Sequence, residues 1–292
     1  MGALVGAITE QFAQSAALRA DGVDDPRREA TWLVADLLGQ PRSWPRLAPE
    51  RPLGASQIAA LTAGAARRAR GEPLAYVTGR AGFRTLELQV DSRVLIPRPE
   101  TEQLVELALA RLPEGGTVVD VGTGSGAIAL ALAVEGRPAR VVGTDLSLDA
   151  LAVAQSNGRQ LAAQLATPVE WRAGASLAPL HDLRGQVDLL VSNPPYISAD
   201  AMERLPASVR GWEPPTALVS GRDGLGVARE LIAGAPALLK GGGWLLLELD
   251  SAHLPEAMRL ACDGPVYDSV AVVRDQFGRD RFLVARLRAT SS

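Results

Sequence analysis

Apolar positions change their spacing several times along the chain, and each spacing predicts a different kind of element. Over roughly the first seventy residues the spacing is helical. Gly2 to Ala20 is Ala-rich and stops before Gly22. A second helix has Asp25 as its N-cap, Pro26 at its first position and Glu29 close behind. Its apolar residues Ala30, Leu33, Val34, Leu37 and Leu38 share one face, and Gly39 ends it. A Pro-rich connection (Pro41, Pro45, Pro49, Pro52) leads to a third helix from Ser56. Arg67, Arg68 and Arg70 close that helix, suit the negative end of its dipole and read as a solvated capping face. From Tyr76 to Val94 the period drops to two: Leu86, Leu88 and Val90 alternate with Glu87 and Gln89, and Gly79 and Gly82 punctuate the segment. That pattern predicts a hairpin linker.

Beyond it, a helix from Pro99 to about Leu112 precedes a regular alternation. Short apolar runs at Thr117–Val121, Val141–Thr144, Val169–Arg172, Val187–Ser192 and Trp244–Leu249 predict strands. Helices are expected at Ala127–Val134, after the capping residue Ser147, and at Leu225–Leu239. Strand–helix alternation of this kind gives βαβ crossovers and a parallel sheet buried on both faces. The ending differs, because Tyr267–Arg274 and Arg281–Leu287 are joined by a short Gly-containing loop that permits only antiparallel pairing. The expected architecture is therefore α/β, with helical residues 1–75, a β-hairpin linker at 76–95 and a seven-stranded domain at 96–292.

Composition narrows the class. With 47% hydrophobic and 22% charged residues over 292 positions, the chain belongs with globular proteins large enough for a proper core. Thirty basic against thirty-three acidic side chains leave a net charge of −3, which disfavours nucleic acid as the main partner. A single cysteine, Cys262, excludes an internal disulfide framework or a multi-Cys metal site, and His181 and His253 fall in no metal-binding constellation. No apolar run approaches the ~18 residues of a membrane span. Glu10 and Gln11 interrupt the N-terminal region early, so a cytoplasmic protein with no membrane partner is expected.

Chemistry concentrates in two places. Asp120-Val121-Gly122-Thr123-Gly124-Ser125-Gly126 lies between a predicted strand and a predicted helix. Glycines let the chain turn tightly and a ligand approach its backbone, and the helix N-terminus offers unpaired N–H groups. Asp145, at the end of the next strand, is placed to meet a ribose diol with both carboxylate oxygens. These two features indicate an adenosine-type ligand, either NAD or S-adenosylmethionine. Asp120 either faces the ligand's ammonium group or holds the Gly loop. The second place is Asn193-Pro194-Pro195-Tyr196, after the strand Val187–Ser192 and on the same sheet edge. Two prolines stiffen the chain and remove two N–H donors. The Asn193 side-chain oxygen and the Pro194 carbonyl can then hold both hydrogens of an –NH2 group, with Tyr196 as a flat wall.

The Asn193–Tyr196 motif after the fourth strand, with Gly122–Gly126 after the first, resembles amino-methyltransferases that use S-adenosyl-L-methionine. Gly71-Glu72-Pro73, Tyr76, Gly79, Phe83 and Leu95-Ile96-Pro97-Arg98-Pro99-Glu100-Thr101-Glu102 are similar to the protein-glutamine N5-methyltransferases that modify release factors. So are Glu213-Pro214 with Ala217-Leu218, Gly221-Arg222-Asp223-Gly224-Leu225, Gly278-Arg279-Asp280-Arg281 and Pro26–Ala30, so the resemblance spans nearly the whole chain. Ribosomal-protein relatives usually break the Ile96–Glu102 pattern.

The resemblance implies a seven-stranded, Rossmann-like methyltransferase domain behind a small helical substrate-recognition domain. It implies methylation at N5 of the glutamine in the Gly-Gly-Gln motif of class-1 peptide-chain release factors, with no direct nucleic-acid substrate. Gly122, Thr123, Gly124, Ser125, Gly126, Asp145 and Asn193 would hold the cofactor. Asn193, Pro194, Pro195, Tyr196, Phe83 and Arg98 would hold the substrate, the first two and Tyr196 at the reacting amide. The alternatives are an N-methyltransferase acting on adenine or guanine, or on a ribosomal-protein glutamine. Two stretches depart from the pattern: Gly174-Ala175-Ser176-Leu177 lacks the usual acidic residue facing adenine, and Asp250 stands where Glu248-Leu249 is usually followed by Gly.

Overall fold

The structure, a computed structural model, describes residues 1–289 apart from the side chains of Ala199 and Arg204. It divides into two compact units, one of residues 1–80, 90–92 and 203–213, the other of 81–89, 93–202 and 214 onward.

The smaller unit is helical: α1 (Gly2–Gln14), α2 (Ala16–Ala20), α3 (Pro26–Leu37), α4 (Trp44–Leu47), α5 (Ala55–Ala69) and α6 (Leu74–Thr78). The expected helix over 2–20 breaks at Ser15, which leaves helical geometry and accepts from Leu18 N through its own Oγ at 3.1 Å. A hydroxyl that caps a new helix competes with continuing the old one. Asp25 caps α3 in the same way, accepting from Arg28 N at 2.9 Å. Phe12, Leu18, Leu33, Val34, Leu61 and Val77 form the core. Tyr76 and Val77, expected in the hairpin, belong to α6 and are buried.

The Arg67–Arg70 cluster differs from the solvated face expected of it. Only Arg70 is exposed. Arg68 is 5% exposed and points inward, where it pairs with Glu29 at 2.7 Å, approaches Asp21 at 3.7 Å and donates to the Glu72 carbonyl at 3.1 Å. Arg67 pairs with the Glu72 carboxylate. Several oxygens thus replace water around the buried guanidinium of Arg68.

The larger unit begins with the hairpin β1 (Arg80–Phe83) and β2 (Leu86–Gln89) and the helix α7 (Pro99–Leu109). The sheet strands are β3 (Thr117–Val121), β4 (Arg140–Asp145), β5 (Val169–Ala173), β6 (Val187–Ser192), β7 (Leu239–Glu248), β8 (Tyr267–Arg274) and β9 (Asp280–Leu287). Helices α8 (Ala127–Glu135), α9 (Leu148–Gln160), α11 (Gly226–Gly234) and α12 (Leu254–Cys262) flank them, and α10 (Ala207–Arg210) lies in the smaller unit. Strand order is β5-β4-β3-β6-β7-β9-β8, with β9 antiparallel to both neighbours and the other pairs parallel.

Register explains the two apolar faces. Val142, Val119, Leu190, Leu245 and Ala285 align across the sheet and pack with α11 and α12. One residue earlier, Val141, Val118 and Leu189 align and pack on the opposite side with α7 and α8. Successive residues of a strand point to opposite faces, so continuous apolar runs mean burial on both. Two boundaries differ from expectation around the glycine triplet. Helix α11 stops at Gly234 because Pro236 cannot continue it, and β7 starts at Leu239, with a register shift at Val187/Leu189 that absorbs Gly241–Gly243. Helix α12 was not anticipated. Among the described residues no helix is long and apolar enough to cross a membrane.

Removing one partner of a buried ion pair costs about 3–5 kcal/mol, so Arg68→Ala is expected to lose that much in urea denaturation. Arg70→Ala, at an exposed position, should change stability by no more than about 0.5 kcal/mol.

Candidate active site

Sheet order reverses direction at β3: the chain runs to β4 and β5 on one side, then crosses to β6 and β7 on the other. In open α/β sheets the crevice at such a switch point is where ligands bind. Three loops leave the carboxyl ends here, after β3 at Gly122, after β4 at Asp145 and after β6 at Asn193. They line a cavity of about 320 Å³, together with Arg93, Val94 and Leu95 ahead of α7 and Thr216, Ala217, Val219, Val227 and Glu230.

The Gly loop owes its shape to a buried carboxyl. Asp120 is fully buried, and its Oδ2 accepts from Thr123 Oγ1 at 2.6 Å and from Ala129 N at 3.2 Å. Burial pushes its pKa up to about 7, and the nearby Asp145 adds to the rise. Between the two readings of Asp120, holding the loop is the role its contacts show. Gly122, Gly124 and Gly126 all have positive φ. At Gly126 a Cβ would also lie 2.9 Å from the Trp171 ring and 3.0 Å from Leu130, so glycine is required twice over. At Gly122 and Gly124 a Cβ would meet nothing within 4 Å, and both line the cavity. Thr123 and Ser125 lie buried behind them. A buried amide, Asn157 on α9, ties the loop to the hairpin: Nδ2 donates to Ser125 O at 2.9 Å and Gln89 O at 3.0 Å, while Oδ1 accepts from Gln89 N at 2.7 Å.

Asp145 lines the cavity, and its position is set by backbone donors: Gly124 N to Oδ2 and Ser147 N to Oδ1, each at 2.9 Å. Each oxygen keeps a further lone pair for a ligand. Asn193, Pro194 and Pro195 also line the cavity. Ser192 Oγ donates to Val121 O at 2.6 Å and so links the base of this loop to that of the Gly loop. Asn193 Nδ2 donates to Thr101 Oγ1 at 3.1 Å. Tyr196 packs against the core behind the cavity, and burial raises its hydroxyl to about 12, so it stays neutral. Its carbonyl lies 2.3 Å from where a Gly224 Cβ would stand, and Gly224 has φ +78°.

Of the expected site residues, Thr123, Ser125, Gly126, Tyr196, Phe83 and Arg98 do not line the cavity. Phe83 is 1% exposed and packs in the core between the hairpin and α7–α8, so it does not line the cavity. Arg98, the N-cap residue of α7, does not line it either, but its charge lowers the pKa values of Tyr196 and Glu248. Glu248, at the end of β7, is buried, and desolvation lifts it to about 7 against a hydrogen bond from Thr101. At the stretch that departs from the family pattern, Gly174, Ala175 and Ser176 form the cavity wall with no carboxylate of their own, while Glu230 of α11 lines the cavity as well. Asp250 starts a turn, its Oδ1 accepting from Ala252 N at 2.9 Å and its carbonyl from His253 N at 2.9 Å. His253 Nε2 contacts Asp223 O at 3.0 Å. Thr101, Asn157 and Leu95 were not singled out individually from the sequence. For Thr101 and Leu95 the signal was their place in the Leu95–Glu102 motif.

This fold and this cavity define a methyltransferase. Residues 100–207 match the family described as "Methyltransferase small domain", and residues 13–79 match "PrmC N-terminal domain". A methyltransferase of Pyrococcus furiosus shares the fold with a TM-score of 0.53 at 17% identity, covering 81% of this chain and 100% of that one. The T. thermophilus 16S rRNA N2 G1207 methyltransferase, solved with AdoMet and guanosine, superposes with a TM-score of 0.52 at 22% identity, over 72% of this chain and 50% of the other. The release factor glutamine methyltransferase of Moorella thermoacetica is 45% identical over 93% of this chain and 95% of its own length. That of Xylella fastidiosa strain 9a5c is 43% identical over 89% and 93%. The chain belongs to the release factor glutamine methyltransferase family.

Asp120 and Glu248 both have folded-state pKa values above the unfolded carboxyl range. Between about pH 4 and 7 the native state holds protons that the unfolded chain has released, so their contribution to stability falls as pH rises through that window. Asp120→Asn should flatten this part of the profile. Denaturation at pH 5, 6 and 7 checks it, and identical slopes in wild type and variant would contradict the buried-proton assignment.

Proposed function

We propose that the cavity binds S-adenosyl-L-methionine and that the enzyme methylates N5 of the glutamine in the Gly-Gly-Gln motif of class-1 peptide-chain release factors. The observation that carries this reading is the meeting of the Gly122–Gly126 loop, Asp145 and Asn193–Pro195 in one cavity. The names of the relatives support the substrate class, and the AdoMet-bound structural neighbour supports the cofactor.

The residues present fit that cofactor. Gly122 and Gly124 leave open space beside their backbone, next to the N-terminus of α8, whose dipole favours electronegative atoms. Asp145 offers acceptor lone pairs to a ribose diol. Ala175, Ser176, Leu146 and Val227 offer a largely apolar wall for a flat base. When bound, S-adenosyl-L-methionine supplies an electrophilic methyl group on a sulfonium centre.

An amide nitrogen is a poor nucleophile because its lone pair is delocalised into the carbonyl. Positioning must therefore supply much of the rate, and in-line alignment contributes ~7–11 kcal/mol. Asn193 Oδ1 and Pro194 O accept the two N–H hydrogens, which aims the nitrogen lone pair and stabilises the positive charge that grows on nitrogen. Neutral Tyr196 flanks the clamp without introducing a charge. The bound cofactor would supply the methyl group and keep the bonding electrons on its sulfur, while Asn193 and Pro194 would hold the nitrogen as its surplus proton passes to water. Asn193 is no base at neutral pH, and no side chain is assigned to proton removal.

Incubation with labelled S-adenosyl-L-methionine and a purified class-1 release factor, followed by mass spectrometry, tests the reading. The methyl group is expected on the Gly-Gly-Gln glutamine, and label on nucleic acid or a ribosomal protein alone would overturn it. Asn193→Ala should lose ~10²–10³-fold in turnover, as for removal of one transition-state hydrogen-bonding group. Its affinity for S-adenosyl-L-methionine, measured by calorimetry, should persist.

A further inference from the structure

The clamp needs an oxygen, not an –NH2, on the side of the Asn193 carboxamide that meets the substrate. The two arms of an amide have nearly the same shape, so shape alone does not choose between them. Asn193 Nδ2 is taken by Thr101 Oγ1 at 3.1 Å. Thr101 is 4% exposed, so water does not compete for that hydroxyl. Its single proton is already committed: Thr101 donates it to Glu248, a carboxyl 2% exposed at the end of β7.

The chain of donors therefore has one direction, from Asn193 N–H to the Thr101 oxygen and from Thr101 O–H to the Glu248 oxygen. A reversed Asn193, with Oδ1 toward Thr101, would face an oxygen that has no proton left to give. Reversal would bury two acceptors against each other, and an unmade buried hydrogen bond is the expensive case. Direction survives protonation of Glu248 as well, because Oε2 has no hydrogen-bond partner and can carry the proton while the other oxygen still accepts.

We infer that Thr101 and Glu248 are positioning residues that hold the Asn193 carboxamide in the single orientation presenting Oδ1 to the glutamine –NH2. The inference rests on the amide clamp of the proposed function and deepens it. Three separate segments meet in this relay: the start of α7, the loop after β6 and the end of β7. Thr101 and Glu248 do not themselves line the cavity, and act on the site only through Asn193.

The test compares full-length wild type, Thr101→Val, Thr101→Ala and Thr101→Ser, with folding checked by thermal melting. Valine matches threonine in shape but removes the hydroxyl, and alanine supplies a second hydroxyl-free variant should valine fold poorly. Rates are measured at saturating release factor and labelled S-adenosyl-L-methionine, with cofactor affinity by calorimetry. Both hydroxyl-free variants are expected to lose ~10²-fold in kcat, the scale of a small misplacement at a reacting centre. KM for the release factor and affinity for S-adenosyl-L-methionine should stay unchanged, because one amide is a small part of a protein contact. Thr101→Ser should recover most of the rate.

A folded hydroxyl-free variant with wild-type kcat would overturn the relay, as would a serine variant as slow as valine. If wild type itself leaves the glutamine unmodified, the proposed function fails instead. The two failures are thus read from different samples.

Discussion

Parallel pairing of β3 with β4 on one side and β6 on the other is the constraint on which the cavity depends. Because Val119 stands level with both Val142 and Leu190, the three strands end together. Residues more than seventy positions apart in sequence, from Gly122 to Asn193, then meet without any long loop having to reach. The register is held by apolar side chains on both faces, so a slip of one residue would turn every one of them to the wrong layer. Placement of the polar chemistry thus follows from the apolar packing of the strands beneath it.

Around that edge, small buried polar groups replace larger devices. Asp120 shapes the Gly loop through Thr123 and Ala129, Ser192 joins the bases of two loops, and Asn157 ties the Gly loop to the hairpin. Arg84 fastens the hairpin in turn, with a two-pronged pair to Glu135 at 2.7 Å and a bond to the Glu102 carbonyl at 2.9 Å. A planar fork of this kind fixes direction as well as distance. The site is thereby held by side chains whose donors and acceptors are mostly spoken for, which limits how far any wall residue can shift.

Legibility of the sequence followed the range of the interaction. Strands buried on both faces appear as continuous apolar runs, so β3, β4, β6 and β9 were readable nearly to the residue. The Gly loop, Asp145 and Asn193–Pro195 were readable because each motif sits directly after its strand. What escaped depends on partners far along the chain. Arg68 looks like a surface cap until Glu29 is found beside it, 39 residues away. Phe83 carries an aromatic ring that suits a binding wall equally well, and only tertiary packing places it in the core. Helix α12 has Pro255 in its first turn and follows the Asp250 turn, which together hide its period from a local reading. Asp250 itself proved to be a turn former.

The insertion of β9 between β7 and β8 has a consequence for how the larger unit is completed. The last strand in sequence among the described residues is an interior strand in space, paired through Leu246↔Val284 on one side and Ala271↔Val284 on the other. A chain shortened anywhere before β9 would leave the most apolar strand, Leu245-Leu246-Leu247, with an open row of N–H and C=O groups. Such a row is a template for pairing with another chain. During synthesis β7 therefore presents this open row until β9 (Asp280–Leu287) has emerged and turned back to pair with it, which is the kind of transient edge that favours association.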